Sequence, residues 1–362
     1  MNMKKLNVTL AILVAAVMAG NAQSTVPVGY VTTTLAAGAD TIIAPQVFRP
    51  SELTGAVSSV VGSAGNATLA ISGASLTANQ YQYNAATQNK TYFALVTSGN
   101  LVGETFIITS NDASSVTVNL NGITTPSNAD ITGIEIRPSW TVATMFPASD
   151  ANISYVPSAT SGASSRRTTI NIPNITGTGI NRSSQATLFY NSAVGDWVTT
   201  TATSTKAGDT AILPGSYVIH RNTGGTTPPS LALTLVGQVF DKPLTNYLGT
   251  SSSKSNDTYL ALARPTDYTL SQLGLDDSAF TQSLSKSAGG RKDQLLVVNP
   301  TGSGINRSSA ATYYKYANNW YTVAGVNADS AVIPAGAAII LRKVTSTDGA
   351  TKKWNNQLNV SL

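Results

Sequence analysis

The sequence predicts an all-β protein: two tandem duplicated β-sandwich or barrel-like modules, preceded by an N-terminal antiparallel β region. Three observations carry that expectation. Short runs rich in Val, Ile and Thr alternate with Gly, Pro, Asn and Ser turns along most of the chain, as in sandwiches and barrels. Only 11% of the 362 residues are charged, against ~25% in an average soluble protein, which argues against charge-laced helical surfaces. Finally, one part of the chain repeats: GTGINRSS at 177–184 returns as GSGINRSS at 302–309.

The first 22 residues have the layout of a secretory signal, with Lys4 and Lys5 ahead of an apolar stretch from Val8 to Gly20. Gly20-Asn21-Ala22 supplies small residues for cleavage after Ala22. The apolar stretch is shorter than the ~20 residues a spanning helix needs, and no later stretch qualifies. The expected mature protein is therefore exported, at the cell surface or outer envelope or free outside. Cysteine is absent, which excludes disulfides, Fe–S clusters and Cys-ligated zinc. Basic residues occur only as scattered pairs such as Arg166-Arg167 and Lys352-Lys353, so nucleic acid is not an expected partner.

Residues 23–122 form the expected N-terminal β region. VPVGYVTTTL and GADTIIAPQVF read as strands, and 51–75 as a loop or short helix. TYFALVTSG and GETFIITSNDASSVTVNLNG then read as antiparallel strands that turn at Ser110-Asn111-Asp112, where Asn and Asp bond their own backbone. Module 1 is placed at 123–228 and module 2 at 229–362. Their landmarks match in order: Arg137-Pro138 with Arg264-Pro265, the two INRSS segments, Trp197 with Trp320, and ILPG with VIPAG. Asp40…Arg49-Pro50 is a weak third match to the start of the unit. Residues 266–288 make the best helix candidate, with Leu270, Leu273, Phe280 and Leu284 on one face. The tail QLNVSL (357–362) alternates as a final strand does.

The repeated corners are the leading site candidates: Gly177, Gly179, Ile180, Asn181 and Arg182, and Gly302, Gly304, Ile305, Asn306 and Arg307. A dinucleotide loop needs a third glycine and a following helix, whereas these lead into the strand patterns ATLFY and ATYYK. A structural corner fits better. Its glycines permit positive φ, its isoleucine points inward, and its arginine donates to loop carbonyls that no strand satisfies.

GDTAILPGSYVIH approaches half of a cupin metal motif, but His220 falls one residue late and is the only histidine in the chain. At a strand end it is expected at an edge or the surface. A Ser-His-Asp triad would have to use it, and no GxSxG elbow exists. Asp276-Asp277 is the only adjacent acidic pair and reads as an exposed loop. No cofactor is expected, although an isolated loop Ca²⁺ site stays open. Trp197, Tyr313, Tyr316, Trp320 and Tyr321 are candidate contact aromatics for a neighbouring subunit or a sugar ring. The recurrence of Trp197 and Trp320 at matching places favours a shared core role.

GETFIITSNDASSVTV, IEIRPSWTVATMFP and the INRSS and ILPG segments, in that order, resemble an uncharacterised family of exported proteins from verrucomicrobial bacteria. The resemblance covers most of the mature chain. It implies export and an envelope setting, and it brings no activity, cofactor or catalytic residue. The resulting expectation is an exported, non-catalytic structural protein that self-associates in a surface layer, coat or fibre. The alternative is a module that binds envelope polysaccharide.

Overall fold

In a computed structural model, residues 27–356 are described apart from 88–89, 149–153, 224–228, 241, 303, 305 and 348. The expected signal segment and the alternating tail 357–362 lie outside the described residues. Strand accounts for 44% of the chain and helix for 4%, so the protein is all-β.

Three strands open the chain: β1 (Val28–Leu35), β2 (Asp40–Ile43) and β3 (Val47–Phe48). A closed six-stranded barrel follows, built from β4 (Leu53–Ser63), β5 (Asn66–Ile71), β6 (Tyr92–Ser98), β7 (Thr105–Asn111), β8 (Ser115–Asn119) and β9 (Gly133–Pro138). Its order is β4-β5-β8-β7-β6-β9, and β4 pairs with β9 to close it. Leu69, Val96, Phe106, Val116, Ile134 and Ile136 fill the interior, as a small barrel must be filled to exclude water. The stretch 51–75, expected as loop or short helix, is in fact the β4–β5 hairpin. The exposed positions of β4 include Ala56 and Val61 beside Thr54, Ser58 and Ser63, so apolar and polar residues do not alternate cleanly. Ala64 and Gly65 both have positive φ, the geometry of a two-residue hairpin turn.

After the barrel come β10 (Trp140–Thr141), helix α1 (Val142–Met145), β11 (Thr168–Pro173), β12 (Ser184–Asn191), β13 (Asp196–Thr199), β14 (Ala211–Ile212), β15 (Val218–Asn222) and β16 (Leu231–Val239). The final stretch holds β17 (Leu244–Leu248), β18 (Asn256–Ala261), β19 (Tyr268–Thr269), β20 (Gln294–Val298), β21 (Ser309–Tyr316), β22 (Asn319–Thr322), β23 (Val332–Ile333), β24 (Ala338–Lys343) and β25 (Lys352–Asn356).

Two five-stranded antiparallel sheets result, β13-β12-β11-β15-β2 and β22-β21-β20-β24-β18. With β2 set against β18 they have the same strand order. Each has a two-stranded companion, β10-β14 or β19-β23, and each register slips at the same place, Ile172/Pro173 or Val297/Val298. The expected boundary at 122/123 does not follow the sheets. β9 belongs to the barrel, while β2, from the expected N-terminal region, is the fifth strand beside β15. The chain lays down β2, leaves at Pro50 to build the barrel, and returns at Pro138. Asp40–Ile43 thus completes the first five-stranded sheet from a point in the chain that precedes the barrel.

The helix expected over 266–288 is a single 3₁₀ turn, Leu270–Leu273, stopped by Gly274 in the left-handed region. Leu270, Leu273 and Phe280 are buried as expected, but Leu284 is 76% exposed. The Asp276 carboxylate accepts from the backbone N–H of Ser278 and Ala279, which favours a turn over helix continuation.

Candidate functional site

The two INRSS corners form one assembly, and each binds the opposite five-stranded sheet. In corner 1, the backbone N–H of Gly179 donates to Asn256 Oδ1 at 2.6 Å and that of Asn181 to Asp257 Oδ2 at 3.1 Å. The Arg182 N–H donates to the Tyr259 hydroxyl at 3.0 Å, and its guanidinium lies 5.0 Å from the Tyr259 ring centroid. Arg182 Nη1 also reaches back to the Gly177 carbonyl and across to Asn256 Oδ1. In return, the Asp257 N–H donates to the Gly179 carbonyl.

Corner 2 reaches the other sheet in turn, through different bonds. The Gly304 N–H donates to Asp40 Oδ2 at 2.6 Å, and Arg307 Nη2 lies 3.3 Å from the same oxygen. Arg307 Nε and Nη1 satisfy the carbonyls of Gly304 and Asn299. Asp40 and Asp257 occupy matching places on β2 and β18. Each accepts a bidentate pair of bonds from an arginine on the adjacent strand, Arg221 or Arg342. Contacts in which i meets j′ and i′ meets j define a two-fold, isologous interface. Here both halves belong to one chain.

Apolar packing lies beneath the clasps. Ala44, Tyr217 and Ile219 of one sheet pack with Tyr259, Ala261, Val298 and Ala338 of the other. The glycines have definite tasks. A Cβ on Gly177 or Gly302 would come within 3.0 Å of Arg182 Cδ or 3.1 Å of Arg307 Cβ, so the first glycine makes room for the arginine stem. Gly179 and Gly304 have φ of 109° and 80°, which L-residues rarely adopt.

Burial alone would raise the Asp40 carboxyl pKa. Hydrogen bonds from Arg221 and Gly304, with the charges of Arg221 and Arg307, outweigh burial and hold the carboxyl below its ordinary value. Burial lowers the pKa of Arg182 and Arg307, yet a guanidinium starts so high that both stay charged. Asp40 is therefore neutralised by Arg221 and Arg307 and Asp257 by Arg342, whereas the Arg182 guanidinium meets neutral acceptors.

The expected arginine role is observed at both corners. The expected inward isoleucine is not: Ile180 is 45% exposed, because the corner folds onto β18 through its backbone and turns the side chain away. Ile305 and its orientation lie outside the described residues. Of the candidate contact aromatics, Trp197 and Trp320 are 1% and 3% exposed and therefore cannot touch a partner. Trp197 packs on Tyr155 and donates to the Phe146 carbonyl, and Trp320 packs on Phe280. Tyr313, Tyr316 and Tyr321 are half-buried. Tyr321 stacks with Tyr314, and the Lys286 ammonium sits 4.0 Å above its ring.

His220, expected at an edge, is fully buried between β11 and β2. Its Nε2 lies 3.0 Å from the Ser154 carbonyl, and Nδ1 has no partner. His220 does not end its strand, because β15 continues to Asn222. Among the described residues no three His, Cys, Asp or Glu side chains group as a metal site, and no helix is long and apolar enough to cross a membrane. A cleft of about 110 Å³ beside the module interface is lined by Ile172, Ala186, Ile212, Tyr217 and Tyr259. It is small beside the ~300–1,000 Å³ of ordinary ligand sites. An open groove of about 450 Å³ is lined by Asp276, Lys353 and Trp354. Asp276 there caps its own turn, and Lys353 pairs with buried Glu104. No family model matches the chain, and neither a curated protein nor a solved structure matches it.

Proposed function

We propose that this chain is an exported, non-catalytic structural protein, a self-associating subunit of a bacterial surface layer, coat or extracellular fibre. The observation that carries the reading is the use of the repeated corners. The most chemistry-like motif in the sequence is engaged twice within the molecule, where it fastens one module to the other. Such a clasp stiffens a building block, and it leaves the arginines and acids unavailable to a substrate.

Gene duplication belongs to the same reading. The shared strand order, the shared register slip and the reciprocal clasps support descent from one unit, with the barrel inserted after the first strand of the first copy. The basic start and apolar stretch before residue 22 support export. The low charge supports association, because few lysines guard the strand edges. Glycan binding is less well supported, since both tryptophans that would stack on sugar rings are in the core.

Light scattering and negative-stain imaging of the chain from Gln23 onward test the proposal, together with imaging of cell envelopes. Ordered oligomers, sheets or fibres are expected. A strictly monomeric protein and envelopes without an assembly that contains it would refute the reading.

A further inference from the structure

Among the described residues, β1 is a free sheet edge. It pairs with β16 on one side only, in a three-stranded sheet ordered β1-β16-β3. Val28 stands opposite Gln238, and the Val239 N–H donates to the Pro27 carbonyl. Hydrogen-bonding direction alternates along an antiparallel strand, so Gly29, Val31, Thr33 and Leu35 bond β16. The backbone groups of Val28, Tyr30, Thr32 and Thr34 then point away from the sheet into solvent. Their side chains share the outer face, where Val28 is 68% and Tyr30 76% exposed, and Val236 opposite Tyr30 is 58% exposed.

Charge is absent from this ribbon. No Asp, Glu, Lys or Arg occurs from Gln23 to Ala39 or from Asn222 to Phe240. Edge strands are ordinarily guarded by lysine, a bulge or a proline within the strand, and β1 has none of these along its eight residues. A surface that meets its own copy brings every charge against itself, so an uncharged strip suits self-pairing.

We propose that β1 pairs with β1 of a second copy, antiparallel, about a two-fold axis through Val31. This inference rests on the self-association reading and names its surface. In that register Tyr30 of one copy lies opposite Thr32 of the other, and Val28 opposite Thr34. Every outward N–H and carbonyl of the four residues finds a partner, and no odd register achieves this. The product is one continuous sheet, β3-β16-β1 joined to its mate, with Val28, Tyr30 and Val236 as an apolar stripe across the join. One strand edge per copy lies below the ~1,200–2,000 Å² of standard interfaces, so the pairing is concentration-dependent.

The experiment is light scattering across a concentration series on the chain from Gln23 onward and on two variants, with circular dichroism to verify folding. Tyr30→Lys places a charge beside its own symmetry mate. Thr32→Pro removes an outward donor while the β16 ladder keeps Val31 and Thr33. Each is expected to raise the dimer dissociation constant at least tenfold. In a third variant, Tyr30→Cys with Thr32→Cys, oxidation is expected to link two copies covalently, since the chain has no other cysteine. Dimers that persist unchanged in both folded edge variants, or the absence of cross-linking, would overturn this surface while self-association stands. A parent chain monomeric throughout would overturn the surface and the self-association reading together.

Discussion

Asn306 donates its side-chain amide to the main-chain carbonyl of Asn181 at 2.9 Å, and Asn181 is its own counterpart in the other module. A residue that meets its equivalent marks where a two-fold axis passes. On either side of this contact the clasps run outward, Arg182 to Asn256 and Tyr259, and Arg307 to Asp40. One difference between the halves bears on their arginines. Module 2 has Asn256 before its aspartate and module 1 has Ala39, so Arg182 meets an amide where Arg307 meets the carboxylate.

That difference gives the two arginines unequal weight. Arg307→Ala leaves Asp40 with Arg221 but uncovers the Gly304 and Asn299 carbonyls, and it removes a pair whose side chains are 1% and 2% exposed. The expected loss is about 3–4 kcal/mol, in the range for breaking one side of a buried pair. Arg182→Ala loses neutral acceptors and a ring contact, for about 2–3 kcal/mol. Urea unfolding monitored by tryptophan fluorescence checks both values. Equal losses would show that the asymmetry around Ala39 and Asn256 has no energetic consequence.

Gly179→Ala and Gly304→Ala should each cost about 1–3 kcal/mol through backbone strain at positive φ. Urea midpoints check this. A cost near zero would mean that the corners tolerate another path and do not need the glycine geometry.

Much of this was legible in the sequence, and the rest was hidden for identifiable physical reasons. The corners announced themselves because Gly, Asn and Arg are each required by backbone or polar satisfaction, so they stand in both copies. What the corners bind was hidden, because Asp40 and Asp257 are long-range partners on strands with no motif of their own. The pairing of β2 with β15 across the intervening barrel was hidden, because Arg49-Pro50 and Arg137-Pro138 look like successive starts of one unit. The burial of His220 was hidden because its counterpart is Leu341, and nothing local distinguishes a core position that holds a polar ring.

His220 gives the fold a pH dependence. Burial is the main cause that pulls its pKa from 6.5 to about 4. Between those values the unfolded chain binds a proton and the folded chain does not, so stability falls as pH drops through that window. It is complete above about 6.5, and the loss by pH 4 is on the order of 3 kcal/mol. Asp40, whose carboxyl is held low, adds a further loss only at more acidic pH, as the folded pKa is crossed. His220→Leu copies the residue of the other module and should flatten stability between pH 4 and 6.5. Denaturant midpoints across that range measure it, and an unchanged slope would assign the dependence elsewhere.

Buried tryptophans predict a spectroscopic result. Trp197, Trp320 and Trp354 are all in cores, and only Trp140 is half-buried. The native emission should be blue-shifted, weakly quenched by iodide and unmoved by oligosaccharides. Trp197→Ala should cost about 3–5 kcal/mol through its cavity. Saturable quenching by a glycan would instead show that a tryptophan face opens to ligand.

Module 2 contains an ion pair that module 1 lacks. Lys343 Nζ contacts Asp293 Oδ2, and both side chains are almost completely buried. The Thr281 and Val344 N–H groups donate to the same carboxylate, and Lys343 also donates to the Ala279 carbonyl. At the matching places module 1 has Thr168 and Asn222. Thr168 Oγ1 accepts from the Val156 N–H, as Asp293 accepts from Thr281, and Asn222 donates to the Pro229 carbonyl. The fold therefore accommodates a neutral pair at this position. Lys343→Met alone strands the buried carboxylate and should cost about 3–5 kcal/mol, whereas desolvation of two charges makes the intact pair itself nearly neutral. Asp293→Thr combined with Lys343→Asn transplants the module 1 solution and should recover more than half of that loss. Thermal melts of the single and double variants decide the point. A double variant as unstable as the single would mean that module 2 has packed itself around the charges and no longer accepts the neutral arrangement.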